Sequence, residues 1–322
     1  MNPNDDKRVD GERHDGERRV MGPAAAPSAK STDGGTTEAA ERPIARRSPS
    51  GLFQRIGVFA LLIFGGVLFS IPFLWTVSTA LKTNEQVFAV PPQWIPSPIQ
   101  LENFKRAWTE LPFPVFVRNT IAITVLATFG QIFSASLVAY GFARFKFKGR
   151  NALFYLMLST MMLPSQVTMI PVFLLWRQLG LIDTFVPLIA PAFFGGGAFT
   201  IFLLRQFFMT IPRELDEAAM IDGANPLVIW WKILLPLARP ALITTTLFSF
   251  VGHWDDFMGP LIYLNSMEKY TVSIGLRLFQ DTYGTQLELL MAASLIHILP
   301  MVVLFFIAQR YFVKGIALTG LK

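Results

Sequence analysis

Few side chains in this 322-residue sequence can do covalent chemistry. There is no Cys, which removes thiol catalysis, a disulfide framework and any cysteine metal site. His-Glu-x-x-His and Gly-x-Ser-x-Gly are absent, so neither a zinc hydrolase nor a serine hydrolase finds its reacting groups. Gly-x-x-x-x-Gly-Lys-Ser/Thr is absent too, so the chain has no phosphate loop for ATP. Two ionisable groups stand out. His253, Trp254, Asp255 and Asp256 fall within an apolar run, where charge is expensive and usually faces protein or water. Three His in the whole chain leave a metal site as the weakest reading of that group. Glu214, Asp216 and Glu217 precede Ala218 and Ala219 in a polar stretch between apolar runs.

These groups have to be positioned by elements suited to lipid. The chain is 52% hydrophobic and 16% charged, where soluble domains carry about 25% charged residues. Residues 1–51 are rich in Gly, Pro, Ser and charge, with nine acids and nine bases in the first fifty; such a segment cannot offset its ordering entropy and reads as a disordered tail. Six apolar stretches follow, at about 56–81, 116–142, 152–176, 186–208, 241–264 and 287–307, each near the roughly 20 residues that cross a bilayer. Backbone groups in lipid must pair within their own segment, and no period-two alternation is seen, so these are helices rather than barrel strands. Pro164 and Pro171 predict a broken or kinked third span, and Gly195–Gly197 in the fourth predict close helix packing. The net charge of +6 resides after residue 50, between the apolar runs, a pattern of membrane topology rather than nucleic-acid binding. The loop 144–150 carries Arg144, Lys146, Lys148 and Arg150 with no acid, which places it, and with it both termini, in the cytoplasm.

The stretch at about 210–238 is then cytoplasmic and too short to span. Pro212 suits a first helical turn, and Glu214 and Asp216 suit its positive end. Gly223 predicts a left-handed stop, Asn225 a cap with Pro226 after it, and Pro236 a second end. Ala218 and Ala219 leave room for a partner surface, Asp216 and Glu217 offer it carboxylates, and Trp230, Trp231 and Ile233 anchor the second helix to the membrane domain.

The order Glu217-Ala218-Ala219, Gly223, then Ile233-x-Leu235-Pro236 resembles in full the Glu-Ala-Ala loop of bacterial ATP-binding-cassette importer permeases. Leu81-Lys82-Thr83 with Pro91, Pro92, Trp94 and Pro96, Leu101-Glu102-Asn103-Phe104, Ala139 to Arg144, Met162-Leu163-Pro164 and Gln309 to Gly315 are similar to the maltose-type carbohydrate group, nearest to its smaller permease subunit. Trp254-Asp255 departs from the Trp-Asn of many relatives. The resemblance covers about 51–322 and implies an all-α polytopic membrane protein with six transmembrane helices and a cytoplasmic coupling loop in the bacterial inner membrane. It implies a second permease subunit, two ATPase subunits that receive the loops and bind ATP and Mg, and an extracytoplasmic solute-binding protein. This chain would hold no cofactor. Glu217, Ala218, Ala219, Gly223, Ile233, Leu235 and Pro236 become coupling residues, and Trp254, Asp255 and Asp256 either line the passage or a gate, or pair between helices. Sugars are the implied solutes: a disaccharide, an oligosaccharide or a glycerol phosphate.

Other readings fit less well. An importer of a non-sugar solute keeps every motif. An ion-coupled secondary transporter needs a deep ionisable relay and repeated halves, and neither is evident. A DNA-binding helix-turn-helix at 210–238 would present Trp230 and Trp231 to phosphate with only Lys232 beside them.

Overall fold

The computed structural model describes residues 49–281 and 286–319, with side chains for 54–280 and 286–309. The expected tail, 1–51, lies outside the described residues except for its last three. The described chain is helical, with no strand, and the bundle lies in residues 59–322. The elements are α1 Pro49–Ala80, α2 Asn84–Val87, α3 Glu102–Thr109, α4 Phe113–Arg144, α5 Arg150–Ser159, α6 Ser165–Gln178, α7 Val186–Phe193 and α8 Ala198–Thr210. Then come α9 Glu214–Ile221, α10 Pro226–Ile229, α11 Leu235–Leu237, α12 Arg239–Trp254, α13 Met258–Tyr263, α14 Val272–Asp281 and α15 Leu287–Thr319.

Four segments are long and apolar enough to cross a membrane unaided: 54–80, 113–144, 186–210 and 287–309. Two bent pairs also pass when each is taken whole, for up to six: 150–162 with 165–178, bent by 98°, and 226–237 with 239–254, bent by 84°, of which only the second arm lies in the expected fifth span. The third span therefore breaks once. Pro164 has no N–H to donate and forces Leu163 into extended backbone (φ −81°, ψ 120°), whereas Pro171 is carried inside α6. The fifth expected span, 241–264, is not continuous. α12 stops at Trp254 after 16 residues, about 24 Å of rise, and α13 begins only at Met258. The joint is polar: Asp256 Oδ1 accepts the Gly259 N–H at 3.0 Å, satisfying a donor that a continuous helix would have paired within itself.

α4 is the central element and packs on α7, α8 and α12. Ala127, Ala135, Ala139 and Ala143 are buried along it, so neighbouring helices approach closely. Gly195, Gly196 and Gly197 all take positive φ, at 104°, 59° and 78°. Gly196 is pressed against α4: a Cβ there would collide with the Gln131 carbonyl oxygen and with Ala135. Gln131 is a polar hub at the same level. Its Oε1 accepts Ser249 Oγ–H at 2.8 Å and lies 2.9 Å from His253 Nε2, while its Nε2 donates to Thr200 Oγ1 at 2.9 Å. Three helices are tied by one amide, a device suited to a medium without water.

Two apolar cores sit at opposite ends of α4. One gathers Ala80, Leu111, Phe113, Phe116, Phe279 and Leu289; the other gathers Tyr140, Leu204, Phe208, Ala219, Ile229 and Leu234. Beside the first core, Asn103 Nδ2 donates to the carbonyls of Ala80 and Lys82 at 3.0 and 2.8 Å, binding α3 to the end of α1. Lys82 is buried 4.0 Å from the Trp75 ring centroid. Most of α1 is exposed apolar surface, Phe69 and Leu61 among it, as expected for a helix bathed in lipid.

The loop between α6 and α7 is pinned to the segment after α13 by one carboxylate. Asp183, in the left-handed region at φ 59°, accepts the N–H groups of Asn265 and Ser266, both at 3.0 Å, the Ser266 hydroxyl at 2.5 Å and Lys269 Nζ at 2.9 Å. The Ser266 hydroxyl first, then Lys269 and the two backbone donors, hold its carboxyl well below the ordinary carboxylate range. A depressed folded-state value contributes stability that is complete above the unfolded value of about 3.9 and fades as pH falls below it. Thermal unfolding in detergent is therefore expected to hold steady from neutral pH to about pH 5 and then to decline, with Asp183→Asn flattening that decline. Gly196→Val is expected to lower stability by about 1–3 kcal/mol through overpacking, with strain at positive φ in addition. Gly141→Ala, helical and with open space at its Cβ position, is expected to be neutral or mildly stabilising in the same melts.

Candidate functional site

The segment 210–238 folds into a short, rigid projection from the end of the bundle. α9 starts beyond Pro212 with three acids in its first turn, Glu214, Asp216 and Glu217, which favour the positive end of the helix. It stops at Gly223, φ 84°, where Gly223 N–H donates to Met220 O at 3.1 Å and Ala224 N–H to Ala219 O at 2.9 Å. This paired closure meets the last carbonyls of the helix and needs a residue without Cβ at the left-handed position. Asn225 then caps α10, its Oδ1 accepting Val228 N–H at 2.9 Å, with Pro226 at the first helical position.

Pro236 does not end the second helix. Residues Trp230–Leu234 form a π-helical turn in which Leu235 N–H reaches back five residues to Trp230 O, and helical backbone continues through Leu237. The wider turn accommodates the missing proline donor. The chain bends at Ala238 and enters α12.

Burial divides the residues of this projection differently from the sequence reading. Asp216 is not offered to a partner: it is buried, and its Oδ2 lies 2.7 Å from Arg144 Nε at the end of α4. The N–H is not aligned with that oxygen, so the contact is an ion pair rather than a directed hydrogen bond. Arg144 also donates from Nη2 to Ile211 O at 3.0 Å, and Arg213 Nη2 donates back to Ala143 O at 3.3 Å. Burial pushes the Asp216 carboxyl above its ordinary value, against the pull of the Arg144 and Arg213 guanidiniums. Ala219 packs into the core beneath, while Ala218 and Glu217 face outward. Trp230 is buried against Phe133, whereas Trp231 is 60% exposed and anchors nothing. Ile229 and Leu234, fully enclosed, do the anchoring that the sequence reading gave to Trp231, and Ile233 and Leu235 pack at the margin of the core. Gly223 and Pro236 are exposed.

The outcome is a surface of defined composition. Ile221, Leu227, Trp231, Met220 and Leu215 are exposed large apolar side chains on a polar segment, with Glu214 and Glu217 among them. Large apolar side chains left exposed among charged ones have the composition of an interaction site. A cavity of about 220 Å³ opens beside it, walled by Tyr140, Arg144, Asp216, Glu217, Met220 and Ile229.

Trp254, Asp255 and Asp256 are at a helix break rather than mid-helix, and they part company. Trp254 is buried, stacked between Phe250 and His297, and its Nε1–H donates to His297 O at 3.0 Å, so it packs α12 on α15. Asp255 pairs with His297 Nε2 at 3.1 Å and keeps half its side chain exposed. Among the described residues no group of three His, Cys, Asp or Glu is placed to hold a metal. Arg144 and Gln131 were missed as site residues in sequence. Arg144 counted only as a topological charge, and Gln131 is one amide in a long apolar run; its isolation there was the available signal.

Removing one partner of the buried pair leaves the other charge uncompensated. Arg144→Ala and Asp216→Ala are each expected to destabilise the projection by about 3–5 kcal/mol, and the double variant by less than their sum. Limited proteolysis between α8 and α12, compared across the four proteins, reads this out.

Comparison with known proteins agrees with this geometry. The model of the family described as binding-protein-dependent transport system inner membrane component matches residues 131–318. The probable ABC transporter permease protein YurM of Bacillus subtilis is 33% identical over 82% of this chain and 88% of its own length. The arabinooligosaccharides transport system permease protein AraQ of Halalkalibacterium halodurans is 35% identical over 70% of this chain and 81% of its own. A chain of a bacterial ABC transporter involved in the import of the acidic polysaccharide alginate superposes with TM-score 0.71 at 27% identity, covering 82% of this chain and 98% of that one. The chain thus belongs to the inner-membrane components of binding-protein-dependent transport systems, as a non-catalytic permease subunit with multiple membrane-spanning helices.

Proposed function

We propose that this subunit forms, with a second permease subunit, the pathway of a sugar importer, and that its 210–238 projection docks into a cytoplasmic ATPase. The observation that carries the reading is the rigid mounting of an exposed apolar and acidic surface. α9 is locked to α4 by Arg144–Asp216 and closed at Gly223, so a push on Glu217, Ala218 or Trp231 reaches the central span without being absorbed by a loose loop. Glu217 pairs with a basic group of the ATPase, and Ala218 lets that surface come close. Ile233, Leu235 and Pro236 shape the second arm of the lever.

ATP and Mg are bound by two ATPase subunits, and an extracytoplasmic binding protein delivers the solute. The positive loop 144–150 supports a cytoplasmic position for the projection and both termini. The named function of AraQ supports a carbohydrate cargo, and the cargo we propose is an oligosaccharide such as its arabinooligosaccharides, a disaccharide or a glycerol phosphate. Asp255 and Asp256, at the break in the fifth span, face the pathway or its gate, while Trp254 holds the joint closed to lipid.

The test is uptake of labelled arabinooligosaccharide by cells whose only copy of the subunit carries Glu217→Lys. Reversing one interfacial charge is expected to reduce uptake about tenfold or more while the subunits still copurify. Gly223→Val is expected to act likewise, since a β-branched residue resists positive φ. Wild-type uptake by the Glu217→Lys strain removes the coupling assignment, and uptake abolished by a proton uncoupler at full ATP removes the ATP-driven mechanism.

A further inference from the structure

On the flank of the same end of the bundle lies a second cleft, of about 240 Å³, which shares Arg144 and Arg213 with the cavity beside α9 and adds Arg150 and Arg205. Its walls carry four arginines, Arg144, Arg150, Arg205 and Arg213, and no carboxylate. Asp216, in α9, is engaged by Arg144. Arg205 is set by its neighbours: its Cζ stands 4.1 Å from the centroid of the Phe154 ring, and its Nε is buried without a hydrogen-bond partner. Arg150 donates from Nη1 to Phe145 O at 3.2 Å and from Nε to Asn151 Oδ1 at 3.5 Å, and Arg213 gives one N–H to Ala143 O at 3.3 Å. A guanidinium has five N–H donors in a planar fork. Each of these three is thus oriented by the protein and keeps donors for something else. Like charges gathered in one cleft oppose one another, and nothing among the cleft's own side chains balances them.

We propose that this cleft seats the phosphate of an anionic phospholipid headgroup. Planar forks match phosphate oxygens in pairs, which a cluster of lysines would not do. Its position selects a lipid over a soluble anion. Arg150 begins one half of the bent third span and Arg205 lies in the last turns of the fourth, so the cleft is at the level where hydrocarbon gives way to headgroups. From Arg150, α5 descends into the membrane with Leu153, Tyr155 and Leu156 exposed, an apolar track for the acyl chains of the same molecule. Anionic lipids concentrate at such a surface, and basic pockets between helices recognise their headgroups. The bound phosphate would bridge α5 and α8, the two halves of the bundle that flank α4 at this end, and so steady the mounting of the projection. The proposal stands whatever solute is carried.

The test uses the full chain purified in a non-ionic detergent and exposed to equal amounts of phosphatidylglycerol and phosphatidylcholine, with retained lipid counted by native mass spectrometry. The wild type is expected to retain phosphatidylglycerol about tenfold over phosphatidylcholine, as charge-assisted forks predict. R150Q/R205Q is expected to fall to parity, and R150K/R205K, which keeps the charge and guards against a folding artefact, to retain a clear preference. Parity in the wild type, or an undiminished preference in R150Q/R205Q, overturns the proposal. Displacement of the lipid by millimolar inorganic phosphate assigns the cleft to a soluble anion, and loss of a copurifying protein instead of lipid assigns it to a partner's carboxylate; either result also overturns it.

Discussion

The arrangement at the end of the bundle that carries the 210–238 projection depends on one buried ion pair. Arg144 closes the longest central span, Asp216 lies in the first turns of the short helix beyond α8, and 2.7 Å separates their charges. Such a pair is no source of large stability, because stripping water from two charges offsets most of their attraction. What it contributes is position. A purely apolar contact between α4 and α9 would tolerate sliding and rotation, whereas a carboxylate under a guanidinium has one acceptable register. The carbonyls of Ile211 and Ala143, each taken by an arginine of the opposite segment, narrow that register further. The Ala219 face goes inward and the Glu217 face goes outward because Asp216 is fixed where it is.

Helix breaks make up the second theme. A bilayer penalises every unpaired backbone group, so a span is interrupted only where something else meets the freed donors and acceptors. The three interruptions here are met in three ways. At Pro164 the preceding residue swings to extended backbone and the helix restarts at Ser165. At Gly195–Gly197 positive φ turns the chain tightly enough for Gly196 to rest on the backbone of α4. At Asp255–Phe257 a carboxylate takes up a backbone N–H. The Gln131 hub lies close to the second and third of these, tying α4, α8 and α12 together where their backbones are least regular.

ATP hydrolysis in this family is carried by a separate ATPase, and the surfaces of this chain agree with that division. One end presents an apolar patch with acids, the other a loop folded back over buried Lys82 and Asn103, and the helix α1 is almost wholly uncovered. Among the described residues no group of His, Asp and Glu is placed to hold a metal ion. The chemistry of the subunit is the chemistry of contacts: which face is buried, which charge is already paired, and which remains for a partner.

The sequence by itself determined the class of solvent, the approximate positions of the apolar segments and, in the segment 210–238, the stop at Gly223 and the cap at Asn225, though not the stop expected at Pro236. These follow from composition over windows of about twenty residues and from Gly, Pro and Asn, whose backbone preferences act within a turn. Gly223 and Asn225 could be read because their partners are three to five residues away. Tertiary structure alone decided which acid was spoken for. Asp216 and Glu217 are adjacent and chemically alike, and only a partner 72 positions earlier, Arg144, separates buried from offered. The same holds for Trp230 and Trp231, one enclosed against Phe133 and one exposed. Neighbours in sequence share a propensity, but on a helix they point about 100° apart, and which direction holds protein is known only once the helices are packed.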